Sequence, residues 1–262
     1  MDFSVAQYQA TIDKINAGMQ DLSGKIGQVA PAANAAVNHW YIPDFVKDAI
    51  IWCAEKIIDL AKWIWDKFVE LLKGAAAPVY MFQHALEWQD VKGMATGVQG
   101  VLRADQLGAD DHWKGAASDA YVAAIKPQSE AAGKIGTIAD RTAQALIISA
   151  VASLAFYVAL GVILIKFIAA MVAAIAAFGS AVFSWAGAAI IVEEAGVNTA
   201  LITAAVTTLL AALGAQAQQL TVLKGELVDG SAFPGGQWPD ATTGNYSDAT
   251  VTDGDADWSF ER

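Results

Sequence analysis

Apolar residues recur at spacings of three and four along most of this chain. Val5, Tyr8, Ile12, Ile15, Met19, Leu22 and Ile26 repeat in that way, the period that lines one side of a helix. The pattern predicts a helix over 4–29, ended by Pro31 and the small residues after it. A second helix is predicted over 43–73. Pro43 suits a first turn, and Gly74 suits a left-handed residue just past the end. Its charges, from Asp44 to Lys73, form one stripe with a gap around Ile51, and the remaining positions are apolar and aromatic, Trp52, Trp63 and Trp65 among them. Tryptophan prefers membrane interfaces. The stripe, however, mixes both signs evenly, without the Lys/Arg excess of a lipid-surface helix. The expectation is therefore a bundle helix that buries a wide face.

Residues 79–107 predict a third helix, with Val79, Phe82, Leu86, Val98, Val101 and Leu102 as packing positions. Gly93, Gly97 and Gly100 weaken it by about 1 kcal/mol each, and their helical spacing offers another helix a close approach. A turn follows over 108–115, then a helix over 116–141, interrupted near Pro127.

Residues 142–192 hold one charge, Lys166. The uncharged runs on either side of it, 142–165 and 167–192, each match the roughly 20 residues that cross a bilayer. Leu146 to Ile165 is the most membrane-like stretch. Glu193, Glu194 and Gly196 read as a polar corner, and 197–223 as a second uncharged helix. Together these make a hydrophobic, alanine-rich helical hairpin with an acidic tip. From 224 onward the periodicity ends among prolines, glycines and scattered Asp, the pattern of a disordered tail.

Composition sharpens this division. Of 262 residues, 55% are hydrophobic and 16% charged, against roughly 25% charged in an average soluble domain. Residues 1–141 carry 13 basic and 17 acidic side chains, 142–223 carry three charges, and 224–262 carry eight acids and two bases. The net charge of -11 excludes a nucleic-acid binder, because phosphate binding needs a basic face. The single Cys53 excludes a disulfide scaffold. The first twenty residues lack the basic and apolar regions of a secretory leader, which leaves the cytoplasm or a leaderless export route.

The most informative motif lies in the predicted turn: Trp113-Lys-Gly115-Ala116-Ala117-Ser-Asp-Ala120-Tyr121. Glycine lets the chain reverse tightly. A tryptophan beside it can lie over the junction of two helices. The alanines allow close packing, and Tyr121 falls two turns along the second helix. This pattern resembles the WxG-motif superfamily of type VII secretion substrates, and overall the chain is most similar to the longer secretion-associated effectors of that system. The resemblance covers about residues 79–145. It implies a helical hairpin bent at Trp113 and Gly115, with Ala117 and Tyr121 on the second arm. It also implies export and a WxG-family or chaperone partner. The chain departs from the family pattern in two ways. Roughly 75 residues precede the hairpin, and no tyrosine is followed four positions later by an acid, which is the family's common export signal: Ile125 follows Tyr121, and Thr250 follows Tyr246.

Catalytic and metal chemistry find no support in the residues. His39, His84 and His112 are not spaced as metal ligands. Cys53 has no histidine nearby and reads as an inert buried thiol. Asp253, Asp255 and Asp257 start like a calcium loop but meet Trp258 where glycine is required. No cofactor is expected, and the chain is not read as an enzyme.

The resulting expectation is an all-α, elongated bundle with four parts: N-terminal helices over 1–78, a WxG hairpin over 79–141, a hydrophobic hairpin over 142–223 and an acidic tail over 224–262. The expected function is a type VII secretion-associated effector that forms a homo-oligomer, inserts its hydrophobic hairpin into a membrane, or does both, as a pore former would. Leu146, Phe156, Gly161, Lys166, Trp185, Glu193 and Glu194 are the expected membrane or oligomer contacts. A soluble interaction module that buries the hairpin, or an integral membrane protein, are the alternatives.

Overall fold

Ser4 starts the first helix by accepting a hydrogen bond from the Gln7 backbone N–H (3.3 Å), which satisfies one of the four amides a helix start leaves free. The computed structural model describes residues 3–39, 42–107, 116–179, 204, 207, 208, 210, 211, 214, 217, 218, 221–225 and 228–241. It is predominantly helical, with no strand among the described residues. The long helices are α1 (Val5–Val37), α2 (Asp44–Leu72), α3 (Ala77–Val101) and α4 (Ala116–Gly179). A 3-10 turn, Ala104–Gln106, follows α3, and two more, Gly230–Ala232 and Pro234–Gly236, lie near the C-terminus. The described positions between Ala204 and Val228 are helical.

Both helix-breaking expectations fail. α1 runs through Pro31 and α4 through Pro127. An interior proline costs about 3 kcal/mol. In α1 the helix beyond it continues to bury Ala33 and Ala36, after Val29 just before it, so packing offsets the lost bond. Gly74 is not left-handed either. The α2–α3 corner is a series of tight turns in which the N–H groups of Lys73, Gly74, Ala75 and Ala77 donate to the carbonyls of Glu70, Leu71, Leu72 and Gly74. Among the described residues, the glycines with positive φ are Gly235 and Gly236.

The chain divides into two compact units that cut across the expected four parts. The first holds residues 1–81 and 148–214, the second 82–147 and 215–262. In the first unit, α1 and the second half of α4 run in the same direction: Tyr8 meets Tyr157, Ile15 meets Gly161, and Gly18 meets Leu164. α2 runs the opposite way. Its buried line of Ile50, Cys53, Ala54, Ile57, Ala61, Ile64 and Phe68 has the 3.5-residue repeat of packed helices. That line is narrower than the wide face expected. Trp52 and Trp63 stay outside it, and Trp52 is 50% exposed.

Two tyrosines close the α2–α3 corner. The Tyr8 hydroxyl donates to the Ala75 carbonyl (2.7 Å) and the Tyr157 hydroxyl to the Leu71 carbonyl (2.9 Å). Carbonyls at a helix end have no intrahelical partner, and here a side chain from each of two other helices supplies one. The two rings meet edge to face at 5.6 Å, and burial pushes the Tyr8 hydroxyl's pKa up.

In the second unit, α3 and the first half of α4 run antiparallel. The Ser129 hydroxyl donates to the Gln99 carbonyl, Gly136 faces Ala95 and Thr96, and Lys92 pairs with Asp140 at 2.8 Å. Gly133 admits the Gln99 side chain. The close helix approach therefore occurs at Gly133 and Gly136, whereas a Cβ on Gly93, Gly97 or Gly100 would meet nothing within 4 Å. α3 buries Ala85 and Ala95. Leu86, Val98 and Val101, expected to pack, are exposed along with Met94. The segment from Val228 to Ala241, expected to be disordered, is fastened to α4. Lys134 pairs with Asp229 (3.1 Å), and the Gln128 side-chain amide donates to the Pro239 carbonyl (2.9 Å).

Candidate functional surface

The expected site residues separate clearly. Trp113, Gly115, Trp185, Glu193 and Glu194 lie outside the described residues. Ala117 is in the first turn of α4, and Tyr121 is half-buried one turn further on. Leu146 is half-buried, and Lys166 is exposed. Phe156 is buried with its ring 5.2 Å from that of Tyr157, edge to face. A Cβ on Gly161 would stand 3.6 Å from Ile15. Phe156 and Gly161 are thus engaged within the first unit, and the outward surface of α4 is made by other residues.

The second half of α4 carries two ladders. The inner one is Ala150, Ser153, Tyr157, Leu160, Leu164, Phe167, Met171, Ala174 and Phe178, all buried. Its alternating steps of three and four keep it facing neighbouring helices. Displaced by two residues, and so on the opposite side of the helix, runs Ile148, Val151, Ala155, Val158, Val162, Ile165, Ala169, Val172 and Ala176. Val151 is half-buried and the rest are exposed. Ile148, Val158, Val162, Ile165 and Val172 range from 41 to 62% exposed. The charge beside this line is Lys166. Sequence reasoning found the apolar block but missed this division, because both sides of the helix are apolar.

α4 is long and apolar enough to cross a membrane, and 33% of its most apolar 18-residue window is buried. A core helix of a soluble protein buries most of such a window. Two outward tryptophans, Trp52 and Trp63, and Phe45 add apolar surface on α2 of the same unit. Three lysines of α2 pair with acids on the same helix: Lys47–Asp44, Lys56–Asp59 and Lys67–Glu70.

Nothing among the described residues gathers three potential metal ligands. His84 is exposed and pairs with Glu87 (2.8 Å). Cys53 is buried, and burial pushes its thiol pKa up, which disfavours the thiolate that nucleophilic chemistry needs. The surface can make apolar contacts. No family model, curated protein or solved structure matches the chain.

Proposed function

We propose that this chain is a helical effector of the type VII secretion kind that acts at a membrane through the outer line of α4. One observation carries the reading: a charge-poor helix long enough to span a bilayer exposes Ile148, Val158, Val162, Ile165 and Val172 on the side away from its own packing. Soluble monomers rarely leave large contiguous apolar patches in water. Trp52 and Trp63 fit the same role, since tryptophan settles at lipid interfaces. The antiparallel course of α3 and the first half of α4, with Trp113 and Gly115 in the connection between them, fits the WxG resemblance. The reading includes export together with a WxG-family or chaperone partner.

The test is incubation of the full-length protein with dye-loaded phosphatidylcholine vesicles. Co-sedimentation with the vesicles and release of dye are expected, with release reduced by Val162→Lys. Protein that neither binds nor releases dye removes the membrane role.

A second reading is a soluble interaction module. It is favoured by the inner ladder of α4, which packs so closely on α1 that a Cβ on Gly18 would stand 2.8 Å from Leu164. Stable, lipid-indifferent protein in the same assay selects it.

A further inference from the structure

The outer ladder of α4 has a feature that lipid contact does not require. Its positions fall into two sets, each with a seven-residue repeat. One set is Ile148, Ala155, Val162, Ala169 and Ala176, and the other is Val151, Val158, Ile165 and Val172. From Ile148 to Ala169 the first set alternates large and small, and the second is β-branched throughout. Liquid acyl chains fit any apolar relief. A facing helix does not, because knobs must enter holes of matching size.

We propose that the outer ladder is the seam of a homodimer in which the α4 helices of two copies pack antiparallel. This rests on the reading above that the outer line of α4 is the working surface, and it names what covers that line in water. In antiparallel packing each set faces the other. Ile148 meets Val172 of the second copy, Ala155 meets Ile165, Val162 meets Val158, and Ala169 meets Val151. Ala155 and Ala169 then each receive a branched side chain, and Ala176 lies beyond the paired strip, level with Gln144. Parallel packing would set Ala155 on Ala155 and Ala169 on Ala169 and leave gaps at both levels.

Charge favours the same direction. In a parallel pair the two Lys166 ammonium groups would stand side by side. In the antiparallel register Lys166 lies level with Leu154 of the other copy, so the two lysines are about 18 Å apart along the axis. That exceeds the Debye length of about 8 Å at physiological salt. In this register the paired strip from Ile148 to Val172 is about 36 Å long. With a contact strip roughly 10 Å wide, the pair hides on the order of 700 Å² in total, below a standard specific interface and in the range of weak, transient contacts. The dimer should therefore be modest in affinity and able to open.

Sedimentation equilibrium of the full-length protein without detergent is the first test. A monomer–dimer equilibrium is expected. Val162→Lys and, independently, Val158→Ala should shift it to monomer, by about tenfold or more for the lysine at the centre of the seam, with circular dichroism unchanged. Direction is read in a Cys53→Ala background. Copies carrying Ala155→Cys mixed with copies carrying Ile165→Cys should oxidise to the mixed disulfide. Ala155→Cys linking only to itself would mean parallel packing and overturn the proposal. So would a monomer at every concentration, and so would aggregation that detergent reverses, since the strip would then face lipid from the start. The vesicle assay separates this inference from the function. A dimer that never releases dye leaves the seam standing and removes the membrane role, whereas a monomer that releases dye does the reverse.

Discussion

The two units are held together by different means. In the first, the helices meet through Tyr8, Ile15, Leu22, Ile50, Phe68, Leu154, Leu164 and Met171, all buried to within 2%. In the second, the buried positions are mainly alanine: Ala85, Ala95, Ala131, Ala132, Ala139 and Ala143, with Ile125 and Leu223 at the margins. Large side chains bring apolar area, at about 25 cal/mol per Å². Alanines bring little area but let backbones approach, and the interface is then completed by polar ties, Lys92–Asp140 and Ser129–Gln99 among them. α4 serves both, as its own sequence changes from Ser129, Ala132, Gly136 and Ala139 to Tyr157, Leu160, Leu164 and Phe167. One unit should therefore be sensitive to lost volume and the other to added volume.

Truncating Phe68 to alanine gives the largest effect. The side chain is fully buried, and Phe→Ala at such a site costs about 3–5 kcal/mol. Urea denaturation should show that loss, and a cost under 1 kcal/mol would mean the first unit is loosely packed. In the second unit the sensitive change runs the other way. Ala139→Leu adds volume where two helix backbones are close, and overpacking of this kind costs about 1–3 kcal/mol. If Ala139→Leu is neutral, the alanine interface is slack and the contrast between the units is lost.

This contrast explains how far the sequence could be read. Periodicity located α1 and α2, because a three–four repeat depends only on local geometry, whereas α4 read as separate segments, its second half only as uncharged runs. Periodicity misplaced the packed side of α3. Leu86, Val98 and Val101 are the natural guesses when size ranks burial, yet Ala85 and Ala95 are the buried ones while the larger residues stay outside. Pro31 and Pro127 read as breaks because their local cost is visible and the burial that offsets it is not. The two ladders of α4 were hidden because both are apolar, and only the neighbouring helices decide which one is covered. Of the proposed site, the charge-free block was legible. The motif residues Trp113 and Gly115 were legible as a pattern, but they lie outside the described residues.

The tyrosine pair offers a smaller test within the first unit. Tyr8→Phe keeps the ring against Tyr157 and removes the donor to Ala75. A carbonyl left without its partner costs about 1 kcal/mol or slightly more. Tyr157→Phe should cost less, because the Leu71 carbonyl also accepts from the Gly74 N–H (3.4 Å). Thermal denaturation of the two variants should rank them in that order, and the reverse order would mean that the Tyr157 bond dominates the corner.

The smallest effect is expected from acid, and it should fall on the second unit. There, ion pairs join separate segments: Lys92 to Asp140 and Lys134 to Asp229. In the first unit, Lys25–Asp21, Lys47–Asp44, Lys56–Asp59 and Lys67–Glu70 each lie within one helix. The Lys92 ammonium, with help from Gln89 and Gln144, holds the Asp140 carboxyl's pKa below the usual range. Hydrogen bonds from Ser231, then Lys134, bring Asp229 to about 2. Both folded values lie under the unfolded ones. The support they give is therefore complete above the ordinary carboxylate range near pH 4. It fades as pH falls through the folded values, toward about 2 for Asp229. The groups are solvent-facing, so the change is a loosening rather than global unfolding. Amide exchange between pH 5 and pH 2, corrected for its intrinsic pH dependence, should show residues 228–241 losing protection while the buried line of α2 keeps it. Loss in α2 first would mean that the first unit, despite its larger side chains, depends on charge.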